Sequence, residues 1–390
     1  MNPFSFHTTR SIICEIGATR RLGEICRKAG ISKPLIVTDA GISRLGLLAR
    51  IETMLLEASL IVCSFADVVA DPPESTIMAA LAQAKSVDAD GIIGFGGGSS
   101  LDTAKLVALM AGSGESLDSI YGIDQAKGKR LPLILIPTTA GTGSEVTAIA
   151  MVTRDKHTKT GVIAPQLYPD FAVLDAELTL GLPPRITAET GVDAMVHAIE
   201  AYTSLHHKNP YSDMLAREAL RLLSRNIETA THHGGQVQAR QAMMLGACLA
   251  GQAFANAPVA AVHALAYPLG GRFHLSHGLT NALVLAPVLR FNAPIAMTAY
   301  AELADIVVPI KNHRRTRYEA CNQLIAYFEG LLPLLGLPRR LSEVGVTAAD
   351  LEMLASEAMK QQRLLVNNPR PVRYDDALAI YMAAFWRPHS

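Results

Sequence analysis

Short apolar runs alternate with helix-period segments through the first half of the chain. Pro34–Thr38, Leu60–Cys63, Gly91–Phe95 and Leu131–Pro137 are β-rich runs, and the stretch from about Glu74 to Ser86 carries apolar positions at helical spacing. Such alternation predicts βαβ units and a mostly parallel sheet covered on both faces. From about Leu182 the pattern changes. Residues 187–204, 212–228, 238–256, 298–307, 316–334, 348–360 and 374–385 carry helix-period apolar positions, with few β-rich runs between them. Gly181-Leu182-Pro183-Pro184 punctuates the change. The expected architecture is an α/β domain over 1–181 followed by an all-helical domain over 182–390.

Composition narrows the class. Of 390 residues, 49% are hydrophobic and 18% charged, enough for a large core and too apolar for a disordered chain. Lys plus Arg equals Asp plus Glu at 35 each, so nothing steers the protein toward nucleic acid or an anionic membrane. A balanced surface fits a self-associating enzyme. Cys14, Cys26, Cys63, Cys248 and Cys321 are scattered and never form a CxxC pair. That argues against a disulfide framework or a thiolate zinc site and fits a reducing compartment. The opening Met1-Asn2-Pro3-Phe4-Ser5-Phe6-His7 lacks the regions of a signal peptide, and the apolar stretches are broken by Gly, Pro or charge short of a membrane span. The expectation is a soluble, cytoplasmic protein.

Two polar loops follow predicted strands. The run ending at Phe95 leads into Gly96-Gly97-Gly98-Ser99-Ser100-Leu101-Asp102. Consecutive glycines let backbone amides approach a ligand, and the start of the next helix, with Ser99 or Ser100 as cap, suits a pyrophosphate. The pattern is not GxGxxG, and a tight strand-to-helix turn without ligand would use some of the same residues. Pro137-Thr138-Thr139-Ala140-Gly141-Thr142-Gly143-Ser144-Glu145 follows the fourth run, at the strand end where open α/β sheets bind ligands. Its hydroxyls could serve phosphate, ribose or a nicotinamide amide, or simply form a turn. Asp39 ends another run, where a carboxylate can accept both ribose hydroxyls and repel a 2′-phosphate, favouring NAD over NADP.

The helical half carries a second constellation. Asp193 and His197 are four residues apart, on one face of a helix, and can hold a divalent cation. His263 lies on another apolar helix, and His277 in Phe273-His274-Leu275-Ser276-His277-Gly278. Singly, each is more often an ordinary core or surface residue. Together, one carboxylate and three imidazoles suit Fe²⁺ or Zn²⁺. His206, His207, His232 and His233 read as solvated pairs, and His274 lies nearer the site.

These motifs, in this order, resemble the iron-containing (group III) alcohol dehydrogenase family. The resemblance runs through Gly96–Ser99, Pro137–Glu145, Gly191–Glu200 and His263–Gly278, from Phe4–His7 to Asn368–Pro371. It implies a dinucleotide-binding α/β domain plus a helical metal domain, with the active site in a cleft between them. It implies Fe²⁺, with Zn²⁺ acceptable, on Asp193, His197, His263 and His277. NAD would be held by Gly97, Gly98, Ser99 and Asp102, by Thr138, Thr139 and Thr142, and by Lys159, Leu178 and the selective Asp39. The implied reaction is hydride transfer between NAD(H) and a small alcohol or carbonyl compound, in a dimer or larger homo-oligomer.

There are departures from the family pattern. Tyr267 stands where many members have a His that helps relay the alcohol proton, and Val288 where many have a His after the Pro. A phenol can also relay a proton, as a poorer base. Tyr267 and His277 are therefore the catalytic candidates. The stretch Arg363–Asn367, which lines the pocket in relatives, is mostly apolar here. The alternatives on the same fold are a maleylacetate-reductase-like enzyme without metal and a dehydroquinate-synthase-like lyase.

Overall fold

The computed structural model describes residues 3–154, 158–309 and 315–386; Met1 and Asn2, which entered the sequence reading, lie outside them. The chain divides into two compact units, Thr8–Gly181 and Leu182 onward, with the residues up to His7 grouped with the second. The sequence pattern alone assigns those first residues to the α/β half. Their place follows from a long-range bond pair: His7 N–H donates to Asn256 Oδ1, and Asn256 Nδ2 donates back to the His7 carbonyl.

The first unit contains β1 (Ile12–Cys14), α1 (Leu22–Ala29), β2 (Pro34–Asp39), α2 (Ala40–Arg44), α3 (Leu47–Glu57), β3 (Cys63–Val68) and α4 (Glu74–Ser86). It continues with β4 (Gly91–Gly96), α5 (Gly98–Ser113), α6 (Leu117–Ile120), β5 (Gly122–Ile123), β6 (Leu133–Pro137), β7 (Ile149–Arg154), β8 (Thr158–Ile163) and β9 (Phe171–Leu174). Six strands form one sheet in the order β1-β9-β6-β4-β2-β3, and every pairing in it is parallel. A parallel sheet buries both faces. Accordingly Ile36, Ile93 and Ile134 pack with α1 and α3 residues such as Ile25 and Ile51, while Leu35, Ile92 and Leu135 pack with Leu101, Ala104 and Val107 of α5.

The second β-rich run is displaced. Leu60 and Ile61, expected in a strand, instead close the end of α3: Leu60 N–H donates to the Leu55 carbonyl and Ile61 N–H to that of Ser32. The strand begins at Cys63. The register that matters is at the sheet's centre, where β4 pairs with β6 through Gly96 and Pro137 and with β2 through Gly94 and Val37. The glycine turn, the threonine-rich loop and Asp39 thus leave the carboxyl ends of three adjacent parallel strands.

The second unit is helical: α7 (Pro184–Thr203), α8 (Pro210–His232), α9 (Val237–Asn256), α10 (Ala261–Phe273), α11 (His277–Val307), α12 (Arg317–Leu334), α13 (Leu351–Ala358), α14 (Gln362–Leu365) and α15 (Tyr374–Phe385). In α11 the structure corrects the expectation that Pro would break the longest apolar stretches. The helix runs through Pro287 and Pro294 for 31 residues. An interior proline removes one helical bond and costs about 3 kcal/mol. Here the run 278–289 is wholly buried, against α7, α10 and α12, which offsets it. By length and composition α11 could cross a bilayer, but over half of its most apolar stretch is buried inside the protein, as in a core helix.

Candidate metal centre and cofactor loops

α7 starts on Pro183-Pro184, which pre-set the first turn and lack donors that the turn would leave unused. Asp193 and His197 then face the same way from consecutive turns, with Glu200 one turn further. α11 comes against this face because Gly278 has no side chain. A Cβ there would lie 2.3 Å from the Glu189 carbonyl oxygen. Ser276 caps α11 and donates its hydroxyl to Glu189 Oε2 at 2.6 Å, fixing the helix start beside α7. His277 is the first residue after that cap.

The result is a single donor cluster. Asp193, His197, His263 and His277 each present one ligand atom, all within 4.8 Å of one another. His277 Nε2 lies 3.6 Å and His197 Nε2 4.0 Å from Asp193 Oδ1. Ring centroids are 4.8 Å apart for His197 and His263 and 5.3 Å for His263 and His277. Burial opposes the charged form of Asp193, but the three imidazoles and a bond from Asn281 outweigh it and hold its carboxyl below the usual range. A buried carboxylate ringed by imidazoles, with no Lys or Arg among the described residues paired to it, is a donor set for a divalent cation. The fit is good for iron or zinc.

The surroundings orient the donors. Glu200 accepts His263 Nδ1–H at 2.6 Å and also the backbone N–H groups of Ala260 and Val262. A proton held on Nδ1 leaves the Nε2 lone pair facing the cluster. Phe254 of α9 stacks on His197, centroid to centroid 4.4 Å. Tyr267, one turn beyond His263, has its ring 6.0 Å from that of His277. The side chains of Asp193, His197 and His263 are at most 5% exposed, whereas His277 is 37% exposed, so the approach lies on the His277 and Tyr267 side. Sequence reasoning left Glu200 and Asn281 without roles. Both sit at helical spacing from a chosen ligand, three residues after His197 and four after His277, which is the signal that could have found them.

The cofactor candidates gather in the first unit. Gly96 has φ +150°, and a Cβ there would meet Ser100 at under 3 Å. Neither Ser99 nor Ser100 caps α5, contrary to expectation; the cap is Gly97. Ser99 Oγ instead accepts Asp71 N–H, and Ser100 donates to Asp39 Oδ2. The cap is therefore bare backbone, leaving the turn's amides to a ligand. Thr139 lies beside Gly97 and Thr142 beside Gly98, so the two loops are neighbours, and Thr138 N–H donates to the Gly96 carbonyl.

The other candidates have structural partners as well. Asp39 Oδ1 caps α2 through Gly41 and Ile42. Asp102 accepts Ser144 Oγ and Met151 N–H, tying the threonine-rich loop to α5. Lys159 Nζ pairs with Asp71 Oδ1 at 2.6 Å. Leu178 is a core side chain packed with the sheet's helix-covered face.

Residues 9–176 match the profile of the iron-containing alcohol dehydrogenases, and residues 187–385 that of the Fe-containing alcohol dehydrogenase family C-terminal region. The chain belongs to the iron-containing alcohol dehydrogenase family. Long-chain-alcohol dehydrogenase 1 of Geobacillus thermodenitrificans is 40% identical, over 95% of this chain and 93% of that protein. The solved alcohol dehydrogenase of Oenococcus oeni superposes with a TM-score of 0.94 at 31% identity, covering 98% of this chain and all of that one. Sulfoacetaldehyde reductase of Bifidobacterium kashiwanohense, solved in complex with NAD+, superposes with a TM-score of 0.88 at 25% identity, covering 98% and 99%. This family member is a metal-dependent oxidoreductase acting between alcohols and carbonyl compounds.

Proposed function

We propose that the protein interconverts a small alcohol and its aldehyde or ketone with NAD(H), holding Fe²⁺, with Zn²⁺ acceptable, on Asp193, His197, His263 and His277. The observation that carries this is the convergence of four ligand atoms within 4.8 Å at a site open on one side. Iron held there would supply the Lewis acidity that eases deprotonation of the alcohol, and bound NAD would supply the hydride acceptor. The balance is alcohol plus NAD+ to aldehyde or ketone, NADH and one proton.

The chain's own residues supply position and proton transfer. Gly97, Gly98 and Ser99 offer backbone amides to the pyrophosphate at the start of α5. Thr138, Thr139 and Thr142 bond phosphate and nicotinamide, Lys159 reaches a ribose, and Leu178 backs the adenine. Asp102 holds the threonine loop in place, and Asp39 Oδ2 selects against a 2′-phosphate. Phe254 packs flat on His197 and walls the donor cluster with an apolar face. Tyr267, beside His277 on the exposed side, relays the hydroxyl proton, Oη accepting it as the phenol's own proton leaves to solvent, with His277 fixing the position of the reacting oxygen. Thr8–Gly181 form the dinucleotide domain and Leu182 onward, with the residues up to His7, the metal and substrate domain, in a cytoplasmic homodimer or larger assembly.

The test is NADH oxidation with a panel of short aldehydes, on chelator-stripped protein refilled anaerobically with Fe²⁺ or Zn²⁺. Turnover restored by metal, and lost in Asp193→Ala while NADH binding persists, is the expected result. Full activity of the stripped protein would overturn the scheme.

A further inference from the structure

We propose that Asn281 is a positioning residue of the metal centre, holding the Asp193 carboxylate in the orientation that presents Oδ1 to the histidines. The inference rests on the donor cluster being a metal site. Asn281 is fully buried and stands one turn after His277 on α11, so both side chains leave the same face. Its Nδ2 donates to Asp193 Oδ1 at 2.6 Å. The same atom lies 3.3 Å from His263 Nε2 and 3.2 Å from His277 Nε2. One carboxamide thus touches three of the four donors, brought in by three different helices.

The residue type matters as much as the place. The carboxamide oxygen of Asn281 is buried without a hydrogen-bond partner among the described residues. A buried orphan acceptor is a cost that a side chain chosen for packing would not carry. Leu would fill nearly the same volume without it. What Asn provides is a neutral donor. Lys or Arg would also bond the carboxylate but would set a positive charge beside a dication, and Asp would add a second carboxylate. A short, charge-free donor fixes the rotation of Asp193 without altering the charge of the site, and a fixed carboxylate orientation is what partners of metal ligands provide.

The experiment is Co²⁺ titration of the stripped protein, read by its visible d–d bands, for the parent, Asn281→Leu and Asn281→Ala. Far-UV circular dichroism and NADH affinity are measured beside it, and Ala, which only removes atoms, keeps the test open if Leu misfolds. Both variants should keep their fold and NADH affinity, bind Co²⁺ roughly 10–100-fold more weakly and show altered bands. Parent-like Co²⁺ affinity and bands in either folded variant would overturn the positioning role. A parent that binds no Co²⁺ would overturn the metal reading beneath it, a result distinct from the first.

Discussion

Glu200 Oε2 and His263 Nδ1 lie 2.6 Å apart although 63 residues separate them in the chain. The same carboxylate closes the first turn of α10 by accepting two backbone N–H groups. One side chain therefore decides both where α10 begins and which nitrogen of His263 is free to ligate.

Glu200→Gln keeps the shape but turns an N–H₂ group toward Nδ1 or toward the helix start, where acceptors are needed. If it faces Nδ1, the proton moves to Nε2 and the ligand is lost. Metal affinity should fall by roughly 10–100-fold, the range for such outer partners. Co²⁺ titration checks it, and a variant that binds as tightly as the parent would show that the tautomer does not depend on Glu200.

Gly278→Ala tests the close approach of α7 and α11. The added methyl, 2.3 Å from a main-chain carbonyl, cannot be relieved by a rotamer change, so the backbones must part. The expected cost is ~1–3 kcal/mol of stability, read by denaturant unfolding, with weaker metal binding because His277 moves with the helix start. Unchanged unfolding would mean the approach has slack.

Asp39→Ser keeps an oxygen to cap α2 while removing the charge. The NADH over NADPH ratio of kcat/KM should fall by about tenfold or more, since like-charge contact costs several kcal/mol. A ratio equal to the parent's would release Asp39 from any role in cofactor choice and leave it as a helix cap.

Glu145, buried at the end of the threonine-rich loop, carries a pH dependence. Burial pushes its carboxyl from 4.5 up to about 7, with a bond from its own backbone and the nearby Lys105 acting in the other direction. Between those two values the folded chain keeps a proton that the unfolded chain has lost. Its contribution to stability therefore falls as pH rises through that window and is level outside it. Glu145→Gln should match the parent's thermal midpoint near pH 4.5 and exceed it at pH 8. An equal difference at both pH values would refute the assignment.

The alternation of β-rich and helical segments was readable because each period reports a local burial pattern, and the ligand pair Asp193 and His197 because helical spacing is local too. What escaped depends on partners far along the chain. Leu60 and Ile61 carry strand propensity, yet Ile61 bonds to Ser32 and the run turns out of α3. Pro287 reads as a stop, yet burial against α7, α10 and α12 carries the helix onward. Ser99 and Ser100 have the composition of caps, but the cap falls at Gly97, two residues before Ser99, and their hydroxyls bond Asp71 and Asp39. Glu200 and Asn281 acquire meaning only once His263 and Asp193 are beside them in space.

With the side chains of Asp193, His197 and His263 buried and His277 partly open, the way from the donor cluster to solvent among the described residues runs past His277. An ion entering, an ion leaving and a substrate arriving all share it. A substrate resting against His277 would bar that exit, so turnover itself would shelter a bound metal from chelators and from oxygen. Idle enzyme would lose its ion faster than working enzyme.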